Sequence, residues 1–122
     1  LTNNTLEHAG ANNPLIIIRN EELIETKPTK QPIGFSENPV PFKNNTLTLQ
    51  KDDSIYIFSD GYADQFGGEK GKKFKLTNLK KLLFNIQNKD IFQQKEEIEK
   101  TFTSWKGELE QLDDVCVMGI KI

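Results

Sequence analysis

Ile55-Tyr56-Ile57-Phe58-Ser59-Asp60-Gly61 is the stretch from which the rest of the chain is read. Residues 55–58 form a continuous apolar run, β-branched and aromatic, which predicts a strand covered on both faces. Ser59-Asp60-Gly61 then ends the run. An acid leaves the strand end, and Gly61 lets the backbone turn sharply and approach a site closely. The mirror arrangement stands at the other end of the chain, where Asp113-Asp114 directly precedes Val115–Ile120, read as a second buried apolar strand. If the two strands lie antiparallel and near each other, both acidic groups reach one rim of a sheet. Carboxylates crowded there repel and raise one another's pKa. A divalent cation relieves that repulsion, and an all-oxygen donor set favours a hard ion such as Mg²⁺ or Mn²⁺. Each acid also has a plainer reading, as a strand-end turn or a polar loop end, and chemistry alone leaves both open.

Outward from these strands, the first half reads as β structure. Leu6–Ala9 is a short strand, and Leu15–Arg19 and Leu23–Thr26 flank the polar Asn20-Glu21-Glu22 as a hairpin. Residues 27–41 hold all but one of the five prolines and predict an irregular connection. Thr46-Leu47-Thr48-Leu49 alternates as a half-exposed strand should. After Gly67, Gly68 and Gly71 the period changes. Leu79, Leu82, Leu83 and Ile86 predict an amphipathic helix over 77–88 with Thr77 as N-cap. A second helix is expected over 92–105, with Ile98, Phe102 and Trp105 on one face and Gly107 just past its end. The glycines lack phosphate-loop spacing and read as a flexible turn, and Lys70–Lys75 reads as a solvated basic loop.

Composition narrows the function classes. The 122 residues suffice for one modest domain or a piece of a larger one, and a strand starting almost at Leu1 suggests a piece. At 35% apolar residues, a core is feasible but not generous. A formal charge of −2 with dispersed lysines gives no nucleic-acid-binding stripe. The longest aliphatic run, residues 15–18, is far short of the roughly 20 residues a membrane span needs. Cys116 is the single cysteine, which excludes an intrachain disulfide and points to a reducing, cytoplasmic setting. Placed in an apolar strand, its thiol is expected to be inert. His8 is the single histidine, expected as a half-buried strand residue, so no multi-histidine centre is available.

The order of motifs then adds a resemblance. Ala9-Gly10-Ala11-Asn12-Asn13-Pro14-Leu15, Gln31-Pro32-Ile33-Gly34, Asp53 with the run from Ile55 through Ser59-Asp60-Gly61-Tyr62-Ala63-Asp64-Gln65-Phe66-Gly67-Gly68, and Gln111-Leu112-Asp113-Asp114-Val115 follow one another over essentially the whole chain. Together they resemble the C-terminal part of SpoIIE-type serine/threonine phosphatase domains, within the protein phosphatase 2C (PPM) superfamily. The resemblance implies an α+β fold, a partial α/β/β/α sandwich with antiparallel sheets and two helices in the second half. Residues 1–122 would form the C-terminal part of a single domain.

By the same resemblance, Asp60 and Asp113 are the metal-binding catalytic acids. Gly61 and Asp114 belong to the metal site, Asp114 being the weaker candidate for direct ligation, and Ser59 and Gly61 shape the loop. The implied cofactors are two Mn²⁺ or Mg²⁺ ions, and the implied reaction is hydrolysis of phosphoserine or phosphothreonine on a protein by metal-activated water. The implied substrate is a bacterial regulatory protein such as an anti-sigma-factor antagonist. Asn12 and Asn13 are weak substrate-binding candidates or turn residues. Two departures bear on this. The family's earlier Asp-Gly site, which bridges the metals, has no counterpart here, so the segment alone is expected to be inactive and, with unpaired sheet edges, to self-associate. Ala11 stands where eukaryotic relatives carry an acid, so no third metal is supported from that position. A non-catalytic pseudophosphatase that binds a partner is the alternative.

Overall fold

The computed structural model describes residues 3–122; the expectation drawn from Leu1 lies outside the described residues. The elements in chain order are β1 (Thr5–His8), β2 (Ile16–Arg19), β3 (Glu22–Glu25), β4 (Asn45–Thr48), β5 (Ser54–Phe58), α1 (Gly61–Asp64), β6 (Phe66–Gly67), β7 (Lys72–Lys73), α2 (Leu76–Asn85), α3 (Ile91–Lys106) and β8 (Val117–Lys121). Two compact units divide the chain, residues 1–57 with 120–122, and residues 58–119.

The first unit is built from antiparallel pairs. β1 pairs with β4, setting Leu6 opposite Leu47. β2 lies between β3 and β5, with Ile17 opposite both Ile24 and Ile55. Period-two alternation puts these residues on inward faces, and they meet in one core: Leu15, Ile17, Leu49 and Ile55 are buried, with Leu6, Ile24, Leu47 and Ile122 packed around them. Each fully buried aliphatic side chain contributes about 1.5–3 kcal/mol. The β2–β3 loop is two residues, not three. Asn20 and Glu21 both take positive φ (45° and 63°), which gives the twist a tight hairpin needs.

A buried ion pair ties this unit together. Asp53 is fully buried, and Arg19 grips it with two bonds, Nε to Oδ1 at 2.8 Å and an Nη to Oδ2 at 2.6 Å. Arg19 also donates to the Thr48 carbonyl, and the Gln50 amide donates to Asp53 Oδ2. The Arg19 hydrogen bonds hold the Asp53 carboxyl below its ordinary value, against the opposing effect of burial. His8 is half-buried, as expected, with Nδ1 3.3 Å from the Thr26 hydroxyl.

The second unit packs α1, the β6–β7 hairpin, α2 and α3 around an aromatic cluster. Tyr62 lies 5.2 Å from Phe74 and 5.0 Å from Phe102, and Phe74 lies 5.4 Å from Trp105. The Tyr62 hydroxyl donates to the Ile98 carbonyl, and burial pushes its pKa up. Leu79, Leu83 and Ile86 are buried along α2, as their spacing predicted. The N-cap differs: it is Lys75, at φ 74°, and not Thr77. The reason is tertiary, because the Lys75 and Phe74 amides are already bonded to the Ala63 and Gln65 carbonyls, which delivers the chain into the helix two residues earlier. α3 is capped by Asp90, whose side chain accepts from the Phe92 and Gln93 amides in a capping box with Gln93.

The sheet order β3-β2-β5-β8 places β5 and β8 side by side. Ile55 and Tyr56, on opposite faces of β5, are both buried, as expected of a strand covered on both faces, and Ile57 is the one exposed residue of the five. The expectation for the last strand needs correction. β8 begins at Val117 and not at Val115, and it alternates between half-buried and exposed, with Met118 and Ile120 exposed, because it sits at the end of that strand order. Cys116 therefore lies outside the strand and is exposed, not buried.

Candidate metal centre

Both acidic motifs fall within the second unit, and one side chain joins them. The Ser59 hydroxyl donates to the Asp114 carbonyl (2.9 Å) and accepts from the Cys116 amide (2.9 Å), while the Ser59 amide donates to the Cys116 carbonyl (3.0 Å). Because Ser59 Oγ takes the Cys116 N–H, the backbone there bonds to a side chain instead of continuing a ladder, which is why β8 starts two residues late. Gly61 completes the contact. A Cβ on it would stand 2.3 Å from the Asp114 carbonyl oxygen and 3.0 Å from its carbon. Only a residue without a side chain lets the two loops lie so close.

Asp60 is exposed and occupies the N-cap of α1, where its backbone carbonyl accepts from the Asp64 amide. Its side chain makes no capping hydrogen bond. Asp113 and Asp114 are also exposed; Asp113 Oδ1 accepts from the Asp114 amide at 2.8 Å, and the Asp113 carbonyl accepts from Gln111. The donors at this rim are oxygens from carboxylates and a carbonyl, which suit a hard divalent ion. Among the described residues, no three His, Cys, Asp or Glu side chains are grouped closely enough to hold a metal.

Asn12 and Asn13 lie in the first unit. Asn12 adopts φ 62°, its amide bonded to the Thr29 carbonyl, and the Asn13 amide bonds to the Ala11 carbonyl. These are turn features. The bridging hydroxyl of Ser59 is the contribution that the sequence indicated least: a serine before an aspartate marks a loop, but its partners are 55 and 57 residues away.

The family model described as Stage II sporulation protein E (SpoIIE) matches residues 1–122. The chain belongs to the SpoIIE family. Among solved structures, this SpoIIE-family chain superposes on the SiaA-PP2C domain of Pseudomonas aeruginosa with a TM-score of 0.88 at 27% identity, covering 98% of this chain and 46% of that one. The RsbU and RsbW domains of a Mycobacterium tuberculosis protein match at 0.70 and 16% identity, over 97% and 32% of the respective chains. The phosphatase domain of the cell fate determinant SpoIIE from Bacillus subtilis, presoaked with Mn, matches at 0.66 and 15%, over 97% and 50%. At those last two identities the likeness is one of fold. The fold is thus that of PP2C-type phosphatase domains, and this chain spans about a third to a half of the solved chains it matches. No curated protein matches it.

Proposed function

We propose that the intact domain, of which this chain forms the C-terminal part, hydrolyses phosphoserine or phosphothreonine on a regulatory protein with two Mn²⁺ or Mg²⁺ ions bound. The observation that carries this reading is the Ser59 hydroxyl bridge, which sets Ser59-Asp60-Gly61 against Asp113-Asp114-Val115. Asp60 and Asp113 each offer a carboxylate to the metals, and Asp114 has a secondary role. Gly61 allows the close approach of the two loops. Divalent ions in such a site lower the pKa of water and offset charge on phosphoryl oxygens. The chain's own part is to hold its acids at fixed positions, so that neither has to reorganise when phosphate arrives.

Membership of a phosphatase family, and the Mn presoak of the Bacillus subtilis domain, support the metal assignment. An anti-sigma-factor antagonist is the proposed substrate class, by resemblance alone. No described helix is long and apolar enough to cross a membrane; a cytoplasmic setting is proposed from the single cysteine. The segment alone, lacking a bridging acid, is proposed to be inactive and to self-associate through its sheet edges.

The test is phosphate release from a phosphoserine peptide by the intact domain in Mn²⁺. Activity that disappears in Asp60→Asn and Asp113→Asn supports the reading. A domain with both acids in place that binds the peptide and releases no phosphate is a pseudophosphatase, and the proposal fails.

A further inference from the structure

The segment after the metal-site turn is basic and solvated, as its composition suggests, and it is also a paired hairpin. β6 and β7 pair in register, Phe66 with Lys73 and Gly67 with Lys72. Gly68 and Gly71 take positive φ (67° and 54°), and the Gly71 amide bonds back to the Gly68 carbonyl. The hairpin is fastened on two sides. The Gly68 amide donates to the Trp105 carbonyl on α3, and the Phe74 and Lys75 amides donate to Gln65 and Ala63 beside and on α1. Gly67 packs so closely on Trp105 that a Cβ there would stand 1.8 Å from the Trp105 carbonyl oxygen.

This rigid hairpin concentrates positive charge. Residues 66–75 carry Lys70, Lys72, Lys73 and Lys75 against the single acid Glu69, in a chain whose formal charge is −2. Lys73 is committed locally, to Asp64 at 3.0 Å and over the Phe66 ring at 5.9 Å. Lys70, Lys72 and Lys75 are exposed, and Phe66 beside them is 38% exposed. The hairpin also sits close to the acids. Lys73 pairs with the last residue of α1 and Lys75 is bonded to Ala63 within it, while Asp60 caps the other end. A four-residue helix is about 6 Å long.

We infer that the β6–β7 hairpin is the docking surface for the acidic segment of the protein that carries the phosphoryl group, with Lys70 and Lys72 as its charged contacts. The inference rests on the phosphatase reading of the adjoining site and adds what that site lacks. Asp60, Asp113 and Asp114 repel an anionic peptide until metal is bound, whereas the lysines of the neighbouring hairpin attract it. The hairpin backbone is already ordered before binding, and charge complementarity here sets partner choice and encounter rate.

The experiment compares the intact domain with its Lys70→Glu/Lys72→Glu double variant, and with Lys70→Arg/Lys72→Arg as the charge-conserving control. The substrates are a phosphoserine peptide flanked by aspartates and p-nitrophenyl phosphate. Peptide affinity is read separately by fluorescence anisotropy. The expected result is a fall of about tenfold or more in kcat/KM on the peptide, mostly in KM, with p-nitrophenyl phosphate unchanged and the arginine control near wild type. Wild-type affinity for the peptide should also weaken with added salt more steeply than the variant's. If both substrates are hydrolysed as by wild type, or both fall equally, the docking inference is overturned while the phosphatase reading stands. If neither substrate is hydrolysed but peptide affinity still depends on the two lysines, the docking surface stands and the phosphatase reading falls. Affinity independent of the lysines overturns the inference whatever the activity.

Discussion

Gly61→Ala probes the closest backbone approach at the candidate metal centre. The new methyl group would lie 2.3 Å from the Asp114 carbonyl oxygen, 3.0 Å from its carbon and 3.3 Å from Val115 Cγ2, where ordinary contact begins at 3.4 Å. About 1 Å of separation has to be found, and rigid backbone must supply it. The Asp114 carbonyl cannot retreat freely, because it accepts the 2.9 Å bond from Ser59 Oγ. Breaking that bond costs about 1 kcal/mol, and the displacement adds about 1–3 kcal/mol, as for overpacking elsewhere. The expected loss is therefore about 2–4 kcal/mol, with weakened Mn²⁺ binding as Asp113 and Asp114 shift with the loop. Urea unfolding of the intact domain, with and without Mn²⁺, measures both. Ser59→Ala should cost less, about 1–2 kcal/mol, and the double variant less than the sum, since both changes act on one contact. A Gly61→Ala protein within 0.5 kcal/mol of wild type, a margin about equal to that of a neutral surface change, with unaltered Mn²⁺ affinity, would refute the reasoning.

Asp53→Ala leaves the Arg19 guanidinium without its buried partner and should cost about 3–5 kcal/mol in chemical denaturation. Because the folded-state pKa of Asp53 lies below its ordinary 3.8, the pair's contribution is complete above that value and is lost as pH falls through the lower folded one; an acid titration followed by circular dichroism should show the loss in wild type and not in Asp53→Ala. Burial lowers His8 below 6.5, so the unfolded chain binds more protons just under that pH, and stability should fall from pH 6.5 downward; melting curves of His8→Gln should lack that slope. Asp90→Ala removes the α3 capping box and should cost about 0.5–2 kcal/mol in thermal unfolding.

The parts of the fold that follow from local pattern were legible in the sequence. Ile16–Arg19 and Glu22–Glu25 pair as their apolar residues and intervening polar turn indicate, and Leu79, Leu83 and Ile86 face inward as their spacing requires. The failures are places where a distant partner decides. Thr77 has the chemistry of a cap, yet Ala63 and Gln65 bind the preceding amides and start α2 earlier. Val115 and Cys116 have strand composition, yet the Ser59 hydroxyl takes the Cys116 amide and delays β8. The lysines at 70–75 are solvated as read, but no local signal reveals the hairpin they stand on or that Trp105 anchors its turn. At the site, the acids stood out as strand-end carboxylates, whereas their junction depends on a serine whose contacts span more than 50 residues.

Calorimetric titration of Mn²⁺ into the intact domain and its Asp60→Asn and Asp113→Asn variants tests the central claim most directly. Removal of a residue that only hydrogen-bonds to a metal ligand typically costs about 10–100-fold in metal affinity, so each of these changes should weaken binding by about 100-fold or more. Mn²⁺ affinity within twofold of wild type in either variant would contradict the account.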